Sequence, residues 1–396
     1  MILPEDTAES CYEGMFKGCT GLEVAPDLKA TTLAANCYKE MFYGCSSLDI
    51  INIYSETPIG EDYTLNWVNG VAASGTFNKI PYVTYSVTGN SCIPSGWDVD
   101  TFHELEYFTV ESLTDNNTIS MIKGPIAANI SYSLNSGETW TDITLSSGTT
   151  NFGTINTGDT IIFKGNNIRL ATAWDNYNHF NGSGNYKVYG NVMSLLYEDE
   201  FLNNSEFDSS VDNHLAGLFK GSTTLIDASN LILPALTLYY NSYNGMFREC
   251  TNLTAGPQLP ATQAGQECYG SMFEACINLE VAPEINFVSL AQSCCKRMFC
   301  MDRSLKLTTP KMTKSPILRV ATPVQNCYEE MFKGNGNLNE ITCLITTSNI
   351  QCTSNWVTNV GNGTGVFKKS PLKSDWTYGA NSAVPVNWTI EDYVEN

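Results

Sequence analysis

Apolar residues recur along the chain in a fixed order, and this order repeats. The stretch Cys11–Cys19 (CYEGMFKGC) returns as Cys37–Cys45 (CYKEMFYGC), which gives a period of 37 − 11 = 26 residues. The same frame returns at 268–276 and 327–332, with weaker copies around Phe219, Phe247 and Phe299. In all seven copies a Leu follows the Phe by six residues: Leu22, Leu48, Leu225, Leu253, Leu279, Leu305 and Leu338. A unit of this size buries its apolar face only against its neighbours, so the pattern predicts a solenoid.

Each repeat is predicted to form one helix and one short strand. In the second copy Leu33, Cys37, Met41 and Cys45 recur every four residues, which draws one apolar stripe along a helix. A glycine two residues after the repeat Phe, such as Gly44, is typical of a helix C-terminus. The following segment, such as 22–26, alternates apolar and polar residues and ends at a proline, as a short strand does. The pattern therefore predicts an α/β solenoid.

Two blocks rich in Trp, Gly and Pro mark the ends of two arrays. Asn66-Trp67-Val68-Asn69 opens the first block and Asn355-Trp356-Val357-Thr358 opens the second, each directly after the last repeat of its array. We interpret both blocks as C-terminal caps. Between the arrays lie four short β-rich runs, at 108–110, 130–133, 160–163 and 186–189, separated by Gly, Asn, Ser and Asp. This pattern of short β-rich runs and turn residues is typical of a small all-β sandwich.

The predicted organisation thus has three parts. Residues 1–102 are the end of the first array with its cap, residues 103–193 are an Ig-like β-sandwich, and residues 194–396 are the second array with its cap. No cap precedes the first repeat, and an open solenoid end exposes apolar surface and strand edges. We therefore expect upstream sequence or another subunit to cover the N-terminal end.

The repeat Cys-Tyr-x-x-Met-Phe-x-Gly-Cys-x-x-Leu-x-x-Ala-Pro and the Asn-Trp-Val caps resemble the BspA-like leucine-rich repeats. This family occurs in secreted and surface proteins of gut anaerobes and in proteins of their phages. The resemblance implies a repeat solenoid of the α/β leucine-rich type, with an extracellular or cell-surface location. It implies a non-catalytic recognition or adhesion module. The alternatives are a structural or receptor-binding component of a phage virion and, more distantly, a secreted carbohydrate-active enzyme.

Charge and composition argue against several classes of partner and of chemistry. Lys+Arg 21 against Asp+Glu 41 gives a net charge of −20, which argues against a nucleic-acid partner because phosphate binding needs many cations. No window approaches the ~18 apolar residues that a membrane helix requires. The three histidines are scattered, and no Cys-x-x-Cys pair occurs, so we expect no catalytic triad, no metal site and no cofactor. The chain is predicted not to be an enzyme.

The fourteen cysteines fall mostly at fixed repeat positions. Side chains at one repeat position stack through a solenoid core, where cysteine behaves as a small apolar residue. We expect buried free thiols. Disulfides between stacked repeats stay open as an alternative, because the count is even and export is expected.

The exposed residue after each repeat Leu is the candidate binding position, because these residues differ where the core positions do not. A basic stretch adds further candidates, since seven of the 21 basic residues fall within 24 positions of the repeat with the longest insertion. The ladder candidates are Glu23, Asp49, Thr254, Glu280, Lys306 and Asn339, and the basic candidates are Arg303, Lys311 and Lys314. Lys306 belongs to both sets. The expected partner is a protein or a glycan, and the cations favour an anionic one.

Overall fold

The computed structural model describes residues 7–55, 57, 59–80, 87–101, 106–124, 126–145, 148–173, 175–301, 309–347, 351–361, 363–379 and 383–395. The chain falls into two compact units, Met1–Glu106 and Tyr107–Asn396. The described part is a mostly β solenoid with almost no helix. The predicted solenoid is therefore confirmed.

Each repeat holds a stretch of consecutive tight turns, which we call a turn run. In the run 35–44 the backbone is left-handed at every fourth residue, namely Asn36, Glu40 and Gly44, with φ of 53°, 50° and 76°. Turn runs span 9–18, 35–44 and 65–70 in the first unit, and 214–221, 240–249, 266–275, 292–299, 325–334 and 351–359 in the second. The predicted helix in each repeat is wrong, because an α-helix keeps φ negative throughout.

The amides of a turn run alternate between two kinds of partner. The amide of Lys39 donates within its own run, to the carbonyl of Asn36 at 3.1 Å. The amide of Glu40 instead donates to the next run, to the carbonyl of Leu65 at 2.9 Å. An α-helix would direct every amide to the residue four positions earlier in the same segment. Half of the hydrogen bonds of a turn run therefore hold neighbouring repeats together.

The first unit contains a small parallel sheet beside its turn runs. Its elements are β1 (Ile50–Ile53), α1 (Glu61–Thr64), β2 (Thr76–Lys79) and β3 (Asp98–Thr101), and the strands lie in the order β1-β2-β3. Trp67 of the predicted cap is fully buried, and its indole Nε1 donates to the carbonyl of Cys92 at 2.8 Å. Among the described residues β3 pairs only with β2, and its edge carries the exposed Asp98 and Asp100.

The second unit begins with antiparallel strands. They are β4 (Phe108–Ser112), β5 (Asn117–Ile122), β6 (Ala128–Ser133), β7 (Thr141–Leu145), β8 (Thr149–Ile155), β9 (Thr160–Lys164), β10 (Ala171–Ala173), β11 (Asn176–Tyr177), β12 (His179–Gly182) and β13 (Tyr186–Asn191). One sheet has the order β13-β4-β9-β6-β7, another has the order β12-β5-β8, and β10 pairs with β11. All four predicted β-rich runs are strands. Their assignment to an Ig-like sandwich domain of 103–193 stays a prediction.

The strands β4–β13, which we call the β segment, continue directly into the turn runs of the second unit. The elements that follow are α2 (Ser194–Tyr197), a 3₁₀ helix (Glu198–Leu202), β14 (Leu225–Asp227) and β15 (Leu231–Ile232), and both strands pair in parallel with β13. The amides of Leu170 and Phe180 donate to the carbonyls of His214 and Leu218, at 2.7 and 2.8 Å. The β segment thus covers the first turn run of the second unit and shares one hydrophobic core with it.

The second unit ends, like the first, with a small parallel sheet and a buried Trp. Its last strands are β16 (Lys314–Leu318), β17 (Glu340–Cys343), β18 (Val366–Lys369) and β19 (Thr389–Asp392), in one parallel sheet of that order. Trp356 is fully buried, and its Nε1 donates to the carbonyl of Ala383 at 3.0 Å, as Trp67 does in the first unit. The two Trp-rich blocks therefore share this hydrogen bond and a terminal pair of parallel strands. The terminal strand β19 carries the exposed Glu391 and Asp392.

The fourteen cysteines are free thiols, and eleven of them are buried, as expected. At one repeat position the thiol is also a hydrogen-bond donor: Cys276 donates to the carbonyl of Phe247 in the preceding turn run, at 3.0 Å. Cys45 and Cys250 make the same bond at 3.0 Å. At this position, directly after the run 325–334, the chain has Asn335, whose side-chain amide donates to the carbonyl of Phe299. Burial raises the pKa of Cys276, so its thiol keeps the proton it donates.

His214 lies at the start of the second array. Its imidazole is buried and stacks on the ring of Phe207, with centroids 4.2 Å apart. Its Nε2 donates to the carbonyl of Asp208 at 2.9 Å. Burial lowers the pKa of His214, because a charged imidazole would lose its hydration there.

Candidate functional site

Two pairs of predicted ladder positions lie side by side, one pair in each unit. In the second unit the amide of Thr254 donates to the carbonyl of Ile226 at 2.8 Å, and the amide of Glu280 donates to Thr254 at 3.1 Å. In the first unit the amide of Asp49 donates to the carbonyl of Glu23 at 2.9 Å. We call the row of Thr254, Glu280 and Asn339 the ladder surface of the second unit.

The position beside Asn339 in this row differs from the prediction. The amide of Asn339 donates to the carbonyl of Thr313 at 2.9 Å, so Thr313 occupies the ladder position that the sequence pattern gave to Lys306. Counting from the repeat Leu failed here because the longest insertion falls between this Leu and the strand. Lys306 and Arg303 themselves lie outside the described residues.

The described cations of the basic stretch are all paired with carboxylates. Lys311 lies 3.1 Å from Glu280, and Lys314 lies 3.8 Å from Glu340. The same is true of Lys296 with Glu329, Arg297 with Glu274 and Arg319 with Glu395. The Lys311–Glu280 pair is exposed, and such pairs contribute only about 0–1 kcal/mol each and are screened by salt. An anionic ligand at Lys311 would therefore compete with Glu280 for the ammonium group.

A groove that the sequence did not indicate lies on the turn runs of the second unit. It encloses about 330 Å³, near the lower end of the ~300–1,000 Å³ that is common for ligand pockets. The depression exists because the run 266–275 has Gly270 and Ser271 where the next run has Lys296 and Arg297. Asn244, Arg248 and Glu267 complete its lining. The one sequence signal for it is this pair of small residues between long ones.

A buried ion network lies beside the groove. Glu274 is only 1% exposed, and its Oε1 lies 2.6 Å from Nη2 of Arg297 and 3.6 Å from Nη2 of Arg248. Arg297 also pairs with Glu330, which pairs in turn with Lys333. The hydrogen bond to Glu274 raises the pKa of Arg297. Burial alone would raise the pKa of Glu330, but Lys333 and Arg297 hold it below its usual value.

The groove offers donors and acceptors to a polar ligand. Arg248 Nε lies 3.3 Å from a Glu249 oxygen but makes no hydrogen bond with it. The Arg248 guanidinium and the Ser271 hydroxyl supply donors, and the Glu267 carboxylate supplies acceptors. Such a mixture suits hydroxyl and carboxylate groups. In the described part of the chain, no group of three or more His, Cys, Asp or Glu side chains is arranged to hold a metal ion.

Comparisons with family models, curated proteins and solved structures found no match to the chain. Within the residues that the structure describes, no helix combines the length and the apolar character needed to cross a bilayer.

Proposed function

We propose that the protein is a non-catalytic recognition or adhesion module that binds a protein or glycan partner through its repeat surface. The observation that carries this proposal is the ladder surface. Glu280 and Asn339 expose a carboxylate and an amide, whereas the Leu before each ladder residue is buried. Thr254 is half-buried, and its hydroxyl donates to the carbonyl of Ile226 at 2.9 Å. A uniform core thus presents polar groups that differ from one repeat to the next.

Rigid spacing favours recognition because little conformational freedom is lost when a partner binds. Thr254 and Glu280 are joined by a backbone hydrogen bond of 3.1 Å, and the Leu before each ladder residue belongs to the stacked core. Solenoids in general offer extended surfaces of this kind. The resemblance to BspA-like leucine-rich repeats supports the same proposal and extends it to a location outside the cell.

The proposal is tested by changing the ladder surface while the fold is kept. The full chain and its Thr254→Arg/Glu280→Arg variant are screened on an array of acidic and neutral glycans and on a panel of cell-surface proteins. We expect the variant to lose at least about tenfold in affinity for the ligands of the parent chain, since two cations enter the contact surface.

The matched control makes the same two substitutions elsewhere. Glu138 and Thr149 are exposed residues of the β segment, so the Glu138→Arg/Thr149→Arg variant adds the same charge away from the ladder. Equal binding by the ladder variant, the control and the parent chain would contradict a ladder site. Loss of binding on Arg248→Ala alone would move the site to the groove. Turnover of any glycan on the array would contradict the non-catalytic assignment.

A further inference from the structure

The groove on the turn runs of the second unit interrupts a row of ion pairs between repeats. At the repeat position of Gly270, other neighbouring runs carry opposite charges. Lys296 lies 2.9 Å from Glu329. In the first unit Lys39 lies 2.8 Å from Glu13. Gly270 has no side chain with which to continue such a row, and a space of about 330 Å³ is left beside it.

The repeats stay stacked on both sides of this space. The amide of Gly245 donates to the carbonyl of Gly270 at 2.8 Å, and the amide of Ser271 donates to the carbonyl of Lys296 at 2.8 Å. The backbone of Gly270 is not left-handed, but a Cβ at this residue would lie only 2.6 Å from Nδ2 of Asn244. Glycine is therefore needed here for space, and it lets a ligand approach the backbone closely.

Asn244 offers a hydrogen-bond acceptor at the groove. Its Nδ2 donates to Oδ1 of Asn241 at 2.9 Å and to the carbonyl of Glu267 at 3.2 Å. These two bonds use both hydrogens of the amide and fix its orientation. Oδ1 of Asn244 accepts no hydrogen bond from the described residues, and the Glu267 carboxylate in the same lining forms no ion pair with them. Both groups are thus open to the hydroxyls of a ligand.

The Arg248 guanidinium has donors that its neighbours do not satisfy. Its Nε is enclosed and makes no hydrogen bond within the described part of the chain. The Glu249 carboxylate lies 3.3 Å from Nε without forming a hydrogen bond, and it is 52% exposed. Nη2 lies 3.6 Å from Glu274, which is too far for a hydrogen bond. The guanidinium has therefore lost hydration without gaining bonds, and its two Nη groups suit the two oxygens of a carboxylate.

The other two cations of the groove are already occupied. Nη2 of Arg297 lies 2.6 Å from the buried Glu274, and Lys296 lies 2.9 Å from Glu329. Arg248 therefore supplies the charge for a ligand.

The charges around Arg248 favour a ligand with a single negative charge. Glu267 lines the groove without an ionic partner among the described residues, and Glu249 lies beside Arg248. Both carboxylates repel further negative charge. A phosphate group carries a charge of about −1.5 to −2 at pH 7, whereas a carboxylate carries only one negative charge.

We propose that the groove binds a uronic acid residue of a glycan, with the sugar carboxylate on Arg248. Asn244 and Glu267 accept hydrogen bonds from the hydroxyls of the ring, and the Ser271 hydroxyl both donates and accepts. A space of about 330 Å³ suits a small ligand such as one sugar ring. The groove shares no residue with the ladder surface, so this proposal does not rest on the proposed function.

The test compares two sugars that differ only at the carboxylate. Methyl glucuronide and methyl glucoside are titrated into the full chain at pH 7, and binding is measured by calorimetry and by ligand-observed NMR. We expect methyl glucuronide to bind at least about tenfold more tightly, because only its carboxylate forms charge-assisted bonds with Arg248. Acetate and inorganic phosphate should each bind at least about tenfold more weakly than methyl glucuronide, since acetate lacks the hydroxyls and phosphate carries more charge.

Two variants change the groove in different ways. Arg248→Gln removes the charge and should weaken binding of methyl glucuronide at least about tenfold. Gly270→Ala keeps every charge but places a Cβ 2.6 Å from the Asn244 amide, so it should also weaken binding. The matched control is Arg319→Gln, which removes a cation that is 44% exposed outside the groove and should bind like the parent chain. Melting temperatures are measured for all three, and Gly270→Ala decides alone if Arg248→Gln does not fold.

Equal binding of the two sugars by the parent chain would overturn the proposal. So would equal binding of methyl glucuronide by the parent chain and the two groove variants, or binding of acetate or phosphate as tight as that of the sugar. The ladder variant Thr254→Arg/Glu280→Arg separates this proposal from the proposed function. If it loses methyl glucuronide while Arg248→Gln keeps it, the groove proposal is wrong and the ladder site stands. If it keeps methyl glucuronide while Arg248→Gln loses it, the groove is supported, whatever the ladder surface binds.

Discussion

Replacing Arg297 with Met tests the buried ion network most directly. Arg297 contacts Glu274 through two nitrogens, at 2.6 and 3.3 Å, and Glu274 is 1% exposed. In the Arg297→Met variant the buried carboxylate keeps only the Arg248 guanidinium, at 3.6 Å. Removing one member of a buried pair costs about 3–5 kcal/mol, because the remaining charge has lost its hydration. Arg248 offsets part of this, so we expect a loss of about 3 kcal/mol in the free energy of unfolding.

Two further variants distinguish the cost of an unpaired buried charge from the cost of losing the Arg297 side chain. The double variant Arg297→Met/Glu274→Met removes both charges, and such apolar replacements of a buried pair are often neutral or stabilising. We expect it to unfold within about 1 kcal/mol of the parent chain. Lys311→Met breaks the exposed Lys311–Glu280 pair, whose side chains are 47% and 60% exposed, and should cost less than about 1 kcal/mol.

The assay is urea unfolding at pH 7, read by hydrogen exchange of the amides in the runs 266–275 and 292–299. The readout is local because repeats of a solenoid contact only their neighbours. Equal losses for Arg297→Met and Lys311→Met would refute the reasoning. So would a double variant that is as unstable as the single one, since the cost would then come from packing and not from an unpaired charge.

Three further predictions follow from the core and its ends. Cys276→Ala should lower the melting temperature through a cavity and the lost bond to Phe247, costing about 1 kcal/mol or more, whereas Cys276→Ser keeps the donor and a reductant changes nothing. The depressed pKa of His214 gives stability that is present above its unfolded value of 6.5 and declines as pH falls below it. Between pH 7.5 and 5.5, the urea midpoint of the His214→Leu variant should therefore decline less than that of the parent chain. Trp356→Ala should cost about 3–5 kcal/mol in urea unfolding, because this indole is fully buried in the cap.

Repetition made much of the fold predictable. Core positions such as Met41 and Leu48 were identified from the 26-residue period, and both are buried. The helix was mistaken because a spacing of four fits a helix over short distances. An α-helix turns about 100° per residue, so Cys37 and Cys45 would lie about 80° apart around its axis. The turn run keeps a strict period of four, with Asn36, Glu40 and Gly44 left-handed, and this strict period was the unused signal.

The candidate site was predictable only in part. The ladder order Thr254 to Glu280 followed from the repeat, because backbone bonds between repeats fix it. The replacement of Lys306 by Thr313 did not follow, because an insertion of unknown placement shifts the count. The pairing of Lys311 with Glu280 depends on which residues become neighbours across repeats. The groove at Gly270 depends on the same information. Periodicity within one repeat carries no such information.

Because the edges of β3 and β19 are acidic, the tendency of the protein to associate depends on pH. Asp98, Asp100, Glu391 and Asp392 place negative charge on the terminal strands, which keeps these edges from pairing with other chains. That protection depends on pH. The net charge of −20 at pH 7 vanishes near the isoelectric point of about 4.4, and the repulsion between molecules vanishes with it. Acid conditions therefore remove the charge that keeps the edges of β3 and β19 from pairing with other chains.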